Sequence, residues 1–179
     1  MSNDNKIPPG ATIGIIGGGQ LGRMTAVAAA ELGYKTHIFT PEENSPASHV
    51  SEQTIVAPYE DEAALKKFAA GVDVITFEFE NVPAASVKLL AGLKPVRPGW
   101  QCLEIAQDRI KEKTFAADLG IATAPWVEVR SSMDLGKALD KIGTPAILKT
   151  TRMGYDGKGQ VRINKNDNAD AAWAALGSD

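Results

Sequence analysis

A short apolar run, Thr12-Ile13-Gly14-Ile15-Ile16, passes directly into Gly17-Gly18-Gly19-Gln20-Leu21-Gly22 and then into an alanine-rich stretch that reaches Leu32. A β-branched run that stops at glycine predicts a buried parallel strand. The alanine-rich stretch predicts a helix closed at Gly33. A G-x-G-x-x-G segment between a strand and a helix is suited to capturing an anion. Its glycines let the backbone turn tightly and approach a ligand, while the first N–H groups of the helix, with its positive dipole end, face outward. The same glycines also permit close helix-on-strand packing, and that plainer use stays open. A dinucleotide-binding unit further wants an acidic residue about 20 positions on, at the end of the second strand. Here the second strand, 35–39, ends at Thr40-Pro41, with Glu42 and Glu43 beyond the proline in a loop. That departure weighs against a dinucleotide.

The pattern then continues as a loop over 42–51, a strand over 54–56, a helix over 61–70, a strong strand over 72–79 and a helix over 84–91. Strands alternating with helices at this spacing predict an α/β fold with a parallel, Rossmann-like sheet. The Lys94-Pro95-Val96-Arg97-Pro98-Gly99 stretch reads as a boundary, giving a first domain over 12–98 after a disordered lead-in over 1–11. Beyond it, over 99–179, come a helix at 101–119, a strand at 126–129 and a helix at 132–141. A strand at 146–151, a glycine-rich loop, a strand at 160–163 and a last helix at 168–176 complete the pattern. A strand, a glycine loop and a strand make a hairpin, so this half follows a different rule. Two strands and a hairpin are too little to bury a core of their own, and the second half reads as part of a truncated domain.

Composition narrows the function. With 19 Lys+Arg against 22 Asp+Glu the formal net charge is −3, an unpromising balance for nucleic acid or an anionic membrane. The sole cysteine, Cys102, cannot form an internal bridge, which fits a reducing, cytoplasmic setting. No apolar run approaches the ~20 residues of a membrane span, and the polar lead-in lacks the hydrophobic region of a signal peptide. Cys102, His37 and His49 have no Cys/His neighbours in sequence that suggest a metal site or a nucleophilic dyad.

Two segments carry chemistry besides the first glycine loop. In Thr76-Phe77-Glu78-Phe79-Glu80-Asn81-Val82, Glu78 and Glu80 fall on one face of the strand, with Phe77 and Phe79 on the other. Ligands of open parallel sheets bind at the carboxyl ends of the strands, so this acidic end suits hydroxyls or an amine as well as it suits a solvated turn. In Ile147-Leu148-Lys149-Thr150-Thr151-Arg152-Met153-Gly154-Tyr155-Asp156-Gly157-Lys158-Gly159-Gln160, a lysine interrupts an apolar strand. A buried lysine is costly unless paired, which suggests an anionic partner. Gly154, Gly157 and Gly159 would form a mobile lid whose N–H groups close over a polyphosphate, with Arg152 and Lys158 adding positive charge. The spacing is not that of a P-loop. The plainer account is a flexible basic hairpin with Lys149 reaching solvent.

Taken together, the Gly17–Gly22 loop with Arg23-Met24, the Thr76–Val82 stretch, Gln107-Asp108-Arg109, Ala124-Pro125-Trp126 and the segment from Lys149 to Gln160 resemble the N-terminal half of an ATP-grasp ligase. Within that superfamily they are most similar to the 5-(carboxyamino)imidazole ribonucleotide synthases of purine biosynthesis. The resemblance implies a pre-ATP-grasp domain followed by the start of an ATP-grasp domain. It also implies an ATP- and Mg2+-dependent carboxylation of aminoimidazole ribonucleotide by bicarbonate through carboxyphosphate, in a homodimer. Carried over by motif, Arg109, Lys149, Gly154, Tyr155, Asp156, Gly157, Lys158, Gly159 and Gln160 would bind ATP. Lys149, Tyr155, Asp156 and Lys158 would serve catalysis, and Gly19, Gln20, Leu21 and Glu78 would line the ribonucleotide site. Met153 stands where the family often has another glycine. Metal ligands are expected in later strands of the family and none within this chain, so the 179 residues alone are expected to be inactive.

Three alternatives remain. A formate-dependent glycinamide ribonucleotide transformylase shares the glycine loop and the lysine strand, but typically has Glu where Gln20 stands and serines in the lid. An NAD(P)-binding domain would rest on the first glycine loop alone. A non-enzymatic dimerisation module would use none of these motifs.

Overall fold

The computed structural model describes residues 6–152, 154 and 158–177, and the chain divides into two units between Glu104 and Ile105. In the first unit, strands β1 (Thr12–Ile16), β2 (Lys35–Thr40), β3 (Gln53–Val56) and β4 (Val74–Phe77) form a parallel sheet in the order β3-β2-β1-β4. Ile15 is paired with Ile38 on one side and Thr76 on the other. Helices α1 (Gln20–Glu31), α2 (Glu62–Ala70), α3 (Ala84–Ala91) and α4 (Trp100–Ala106) supply the cover.

Side chains of consecutive strand residues point to opposite faces, and both faces of this sheet are buried. Ile15 and Ile38 pack with Ala26 of α1 and Ala47. Ile16 and Phe39 pack with Leu65 and Phe68 of α2, Val87 and Leu90 of α3, and Leu103 of α4. This two-sided burial makes β1 and β2 read as continuous apolar runs and not as alternating ones. Gly14 belongs to the same packing, because a Cβ there would lie 2.7 Å from Cζ of Phe68. The bare backbone lets the ring, fully buried, close onto the strand, and truncating Phe68 to alanine would cost about 3–5 kcal/mol.

Residues of the lead-in are tied to this unit. The Tyr34 hydroxyl donates to the carbonyl of Ile7 at 2.7 Å, and the Gly10 N–H donates to that of Gly33 at 2.7 Å. Gly33 follows the end of α1 with φ +80°, a conformation open to glycine.

In the second unit, α5 (Arg109–Asp118) and α6 (Ser132–Ile142) precede an antiparallel pair, β5 (Ala146–Lys149) with β6 (Gln160–Ile163), and α7 (Ala169–Leu176) closes it. Contrary to the expectation of no independent core, a small one forms. Leu135, Leu148, Ile163 and Ala172 are buried, with Val129, Leu139, Val161 and Trp173 packed around them. Side-chain caps define the helices here. Ser131 accepts from the N–H of Asp134, and Asn168 accepts from that of Ala171.

Four further expectations are corrected. The helix expected over 101–119 is two helices, because the Asp108 carboxylate accepts the N–H groups of Ile110 and Lys111 and starts α5 afresh. The 126–129 strand does not form, and its residues run as irregular chain. The 72–79 strand narrows to Val74–Phe77. In the other direction, the 42–51 loop contains a short 3-10 helix, Pro46–Val50.

Candidate functional site

At the carboxyl edge of the first sheet, β1 is followed by Gly17 with φ +109°, and the Gly17 N–H donates to the Phe39 carbonyl at 2.8 Å. Gly19 is the N-cap of α1 and has no side chain to satisfy the helix's first N–H groups. Glu78, the residue after β4, supplies the acceptor. One carboxylate oxygen accepts from the Gly19 N–H at 2.6 Å and the other from the Gly22 N–H. The Glu78 N–H donates in turn to the Ile16 carbonyl at 3.1 Å. A Cβ on Gly19 would lie 3.0 Å from one of these oxygens, and a Cβ on Gly22 2.8 Å from the other. The glycines of the motif are thus fitted to a carboxylate of the same chain, at the place where the sequence pattern suggests a phosphate. The charge matches the helix terminus as any anion would.

Gln20 and Leu21 lie exposed on the first turn beside this arrangement. Glu80, expected on the same strand face, is exposed in the turn beyond β4. Phe77 and Phe79 pack partly buried on the core, as their alternation predicts.

Sequence reasoning missed the back wall of the loop. Ser45 and Thr40 are buried behind Gly18, where a Cβ would meet the Ser45 side chain and come within 2.7 Å of the Thr40 hydroxyl oxygen. The Ala47 N–H donates to the Gly18 carbonyl at 2.9 Å, and the Arg23 guanidinium donates to that of Pro46 at 3.1 Å. Tyr59 also stands at this edge. Burial, reinforced by Glu78 and Glu42, pushes its phenol up to about 12, against a smaller opposing effect of the Thr40 hydroxyl. The prolines and serines of the 42–51 stretch mark a loop, but nothing in them announces contact with Gly18.

In the second unit, Lys149 ends β5. Leu148 faces the core while Ile147 and Lys149 face away from it, exposed. The expectation of a buried lysine is therefore wrong. A two-stranded sheet covered on one face exposes alternate residues, so no desolvation cost demands an anion there. What points to an anion is the surroundings. A cavity of about 740 Å³ is lined by Arg109, Lys113 and Lys149 with Glu112, and its apolar wall includes Pro125, Trp126, Ile142 and Ile147. Three cations against one carboxylate leave the lining net positive. Lys113 gave no individual signal in the sequence, and Trp126 entered there only as part of the Ala124-Pro125-Trp126 motif.

Arg109, the first residue of α5, is anchored at both ends. Its N–H donates to the Thr151 carbonyl at 2.9 Å and its guanidinium to the Gly154 carbonyl at 3.0 Å. The far side of the hairpin is fixed by the Thr150 N–H, which donates to the Gly159 carbonyl at 2.9 Å. Gly159 has φ +64°, and a Cβ there would lie 2.5 Å from the Thr150 hydroxyl, so the position requires glycine on two counts. Lys158 and Gln160 are exposed beside it. Tyr155, Asp156 and Gly157 of the expected lid, with Met153, lie outside the described residues.

Comparison with known proteins fits this division. Residues 10–107 match the model of the ribonucleotide synthetase preATP-grasp domain, and residues 114–179 match the ATP-grasp domain. The N5-carboxyaminoimidazole ribonucleotide synthase of Brucella melitensis is 51% identical over 172 residues, covering 95% of this chain and 48% of the relative. A crystal structure of N5-carboxyaminoimidazole synthetase from Staphylococcus aureus complexed with ADP superposes with a TM-score of 0.91 at 42% identity, over 96% of this chain and 46% of that one. A more distant structure, from Aspergillus clavatus with ADP and 5-aminoimidazole ribonucleotide, gives 0.80 at 26% identity, over 94% and 44%. The chain spans just under half the length of these relatives. By these matches the chain belongs to the ribonucleotide synthetase preATP-grasp family and continues into an ATP-grasp domain.

Proposed function

We propose that this chain provides nucleotide- and ribonucleotide-binding surfaces for the ATP-dependent carboxylation of 5-aminoimidazole ribonucleotide. The observation that carries the reading is the convergence of Arg109, Lys113 and Lys149 on one cavity with an apolar wall. A nucleoside triphosphate offers the matching pair of surfaces, a flat apolar base and a chain of anionic oxygens, and the cavity lies within the usual size range of ligand sites. Arg109 and Lys149 would hold phosphate oxygens, where fixed cations stabilise the charge that shifts during phosphoryl transfer. Lys158, with the backbone of Gly154, Gly157, Gly159 and Gln160, would close over them. Tyr155 and Asp156 would attend the carboxyl donor or the ribonucleotide.

ATP supplies the phosphoryl group that activates bicarbonate. A bicarbonate oxygen takes the γ-phosphoryl group and ADP leaves. The exocyclic amine of the ribonucleotide then forms the new N–C bond as inorganic phosphate and the amine's proton depart. Gly19, Gln20 and Leu21 would line the ribonucleotide's site. Glu78 has about four lone-pair positions and gives two to Gly19 and Gly22, which leaves acceptor capacity for an amine.

Among the described residues no group of three or more His, Cys, Asp or Glu could hold a metal ion. Mg2+ therefore enters the proposal only as a companion of the triphosphate, with no ligand assigned. A homodimer in the cytoplasm completes the reading; no helix among the described residues is long and apolar enough to cross a membrane.

Thermal melting of the chain with single ligands tests it. ATP and 5-aminoimidazole ribonucleotide should each raise the melting temperature, whereas glycinamide ribonucleotide and NADH should not. Stabilisation by NADH or glycinamide ribonucleotide in place of 5-aminoimidazole ribonucleotide would refute it.

A further inference from the structure

β3 leaves the sheet at the same edge as Glu78. After Val56 the Ala57 N–H donates to the Thr40 carbonyl at 3.0 Å, and the chain turns through Pro58 and Tyr59 before Asp61 caps α2. The Tyr59 ring stands 6.2 Å from that of Phe39, near the end of β2, and 6.2 Å from that of Phe79, the residue after Glu78. These contacts fix the ring without burying it wholly. That Ala57–Thr40 bond holds the turn carrying Tyr59 against Thr40, whose hydroxyl oxygen also backs Gly18 of the glycine loop. Tyr59 is therefore joined to the two parts of the proposed ribonucleotide site in the first unit: to Glu78 through Phe79, and to the glycine loop through Thr40.

We propose that Tyr59 is a specificity-determining residue of that site, its phenolic hydroxyl hydrogen bonding the bound ribonucleotide beside the Glu78 carboxylate. The inference rests on the ribonucleotide reading above. A lysine or arginine at this place would pair with Glu78 and take up its acceptor capacity. A phenol that stays protonated across the physiological range adds a donor and leaves the carboxylate to the amine. The pair suits a small ligand that carries an amine and hydroxyls, and the Phe79 ring beside it offers an apolar surface to a flat heterocycle.

The test is calorimetric titration of the 179-residue chain with 5-aminoimidazole ribonucleotide, for the wild type and Tyr59→Phe. Melting temperature and ATP affinity are measured alongside. Tyr59→Phe keeps the ring and its packing, and should weaken ribonucleotide binding roughly five- to tenfold, the loss of one hydrogen bond, while ATP affinity holds. If Tyr59→Phe binds within twofold of wild type, or loses melting temperature and ATP affinity along with ribonucleotide affinity, the hydroxyl serves the fold and the inference is overturned. If wild type itself does not bind the ribonucleotide, the reading of the site fails, and the wild-type titration alone shows this.

Discussion

The carboxylate of Glu78 accepts the N–H of Gly19 at 2.6 Å across 59 residues of sequence, and so acts as the missing cap of α1. With its second oxygen on the Gly22 N–H, one side chain joins the end of the fourth strand to the first turn of the first helix. Glu78→Gln keeps the size but sets an amide NH2 against a backbone N–H. It should cost about 1–3 kcal/mol and abolish binding of the ribonucleotide. Thermal melting and calorimetry check both effects, and an unchanged melting temperature would deny the capping role. Gly22→Ala should act in the same direction, because its Cβ would lie 2.8 Å from the carboxylate and 3.0 Å from the Gly17 carbonyl.

Lys149 is exposed, faces away from the small core and lines the cationic cavity. Lys149→Ala should therefore leave the melting temperature within the error of measurement and weaken ATP binding about ten- to a hundredfold, as expected for a lost charge-assisted bond to phosphate. Arg109→Ala should weaken ATP binding and also lower stability, since its guanidinium holds the Gly154 carbonyl. Equal stability losses in the two variants would contradict this division of roles.

Trp126 is partly exposed on the wall of the same cavity. Adding ATP should change the intrinsic fluorescence of the chain. Trp126→Phe should remove that change, with Trp100 and Trp173 still present. A signal that survives the substitution would place the nucleotide elsewhere.

His37 is buried in the first unit, edge-on to Phe68 with ring centroids 5.1 Å apart, and neither ring nitrogen has a hydrogen-bond partner among the described residues. Burial, and then Lys67, lower its pKa below the ordinary 6.5. The unfolded chain therefore binds the proton more readily than the folded one. The stability that neutral His37 allows is fully present above pH 6.5 and is lost as pH falls from there through the folded value. Urea unfolding at pH 7.5 and pH 5 should show a larger loss for wild type than for His37→Phe. Equal losses would show that the imidazole is not the group titrating.

Much of the first unit could be read from the sequence because its signals are local. An apolar run ending at glycine gave β1, and Gly33 marked the end of α1. The acidic strand end drew attention to Glu78, but not to what it holds, because its partners lie on another element and no local pattern encodes the pairing. Asp108 was legible in principle as a helix cap and was hidden by the continuous charged pattern around it. Lys149 misled in the opposite sense. A polar residue in an apolar strand suggests burial only where both faces are covered, and the β5–β6 hairpin is covered on one. The cavity beside it gathers Lys113, Trp126 and Ile142 from separated segments, which no spacing rule anticipates.

Because the same carboxylate closes the first turn of α1 and offers its remaining lone pairs outward, occupancy at Glu78 and the tightness of that turn are linked. A ligand that draws on the acid must loosen or strengthen its grip on the Gly19 and Gly22 amides. Their exchange with deuterated solvent thus reports from inside the fold whether the acid is engaged.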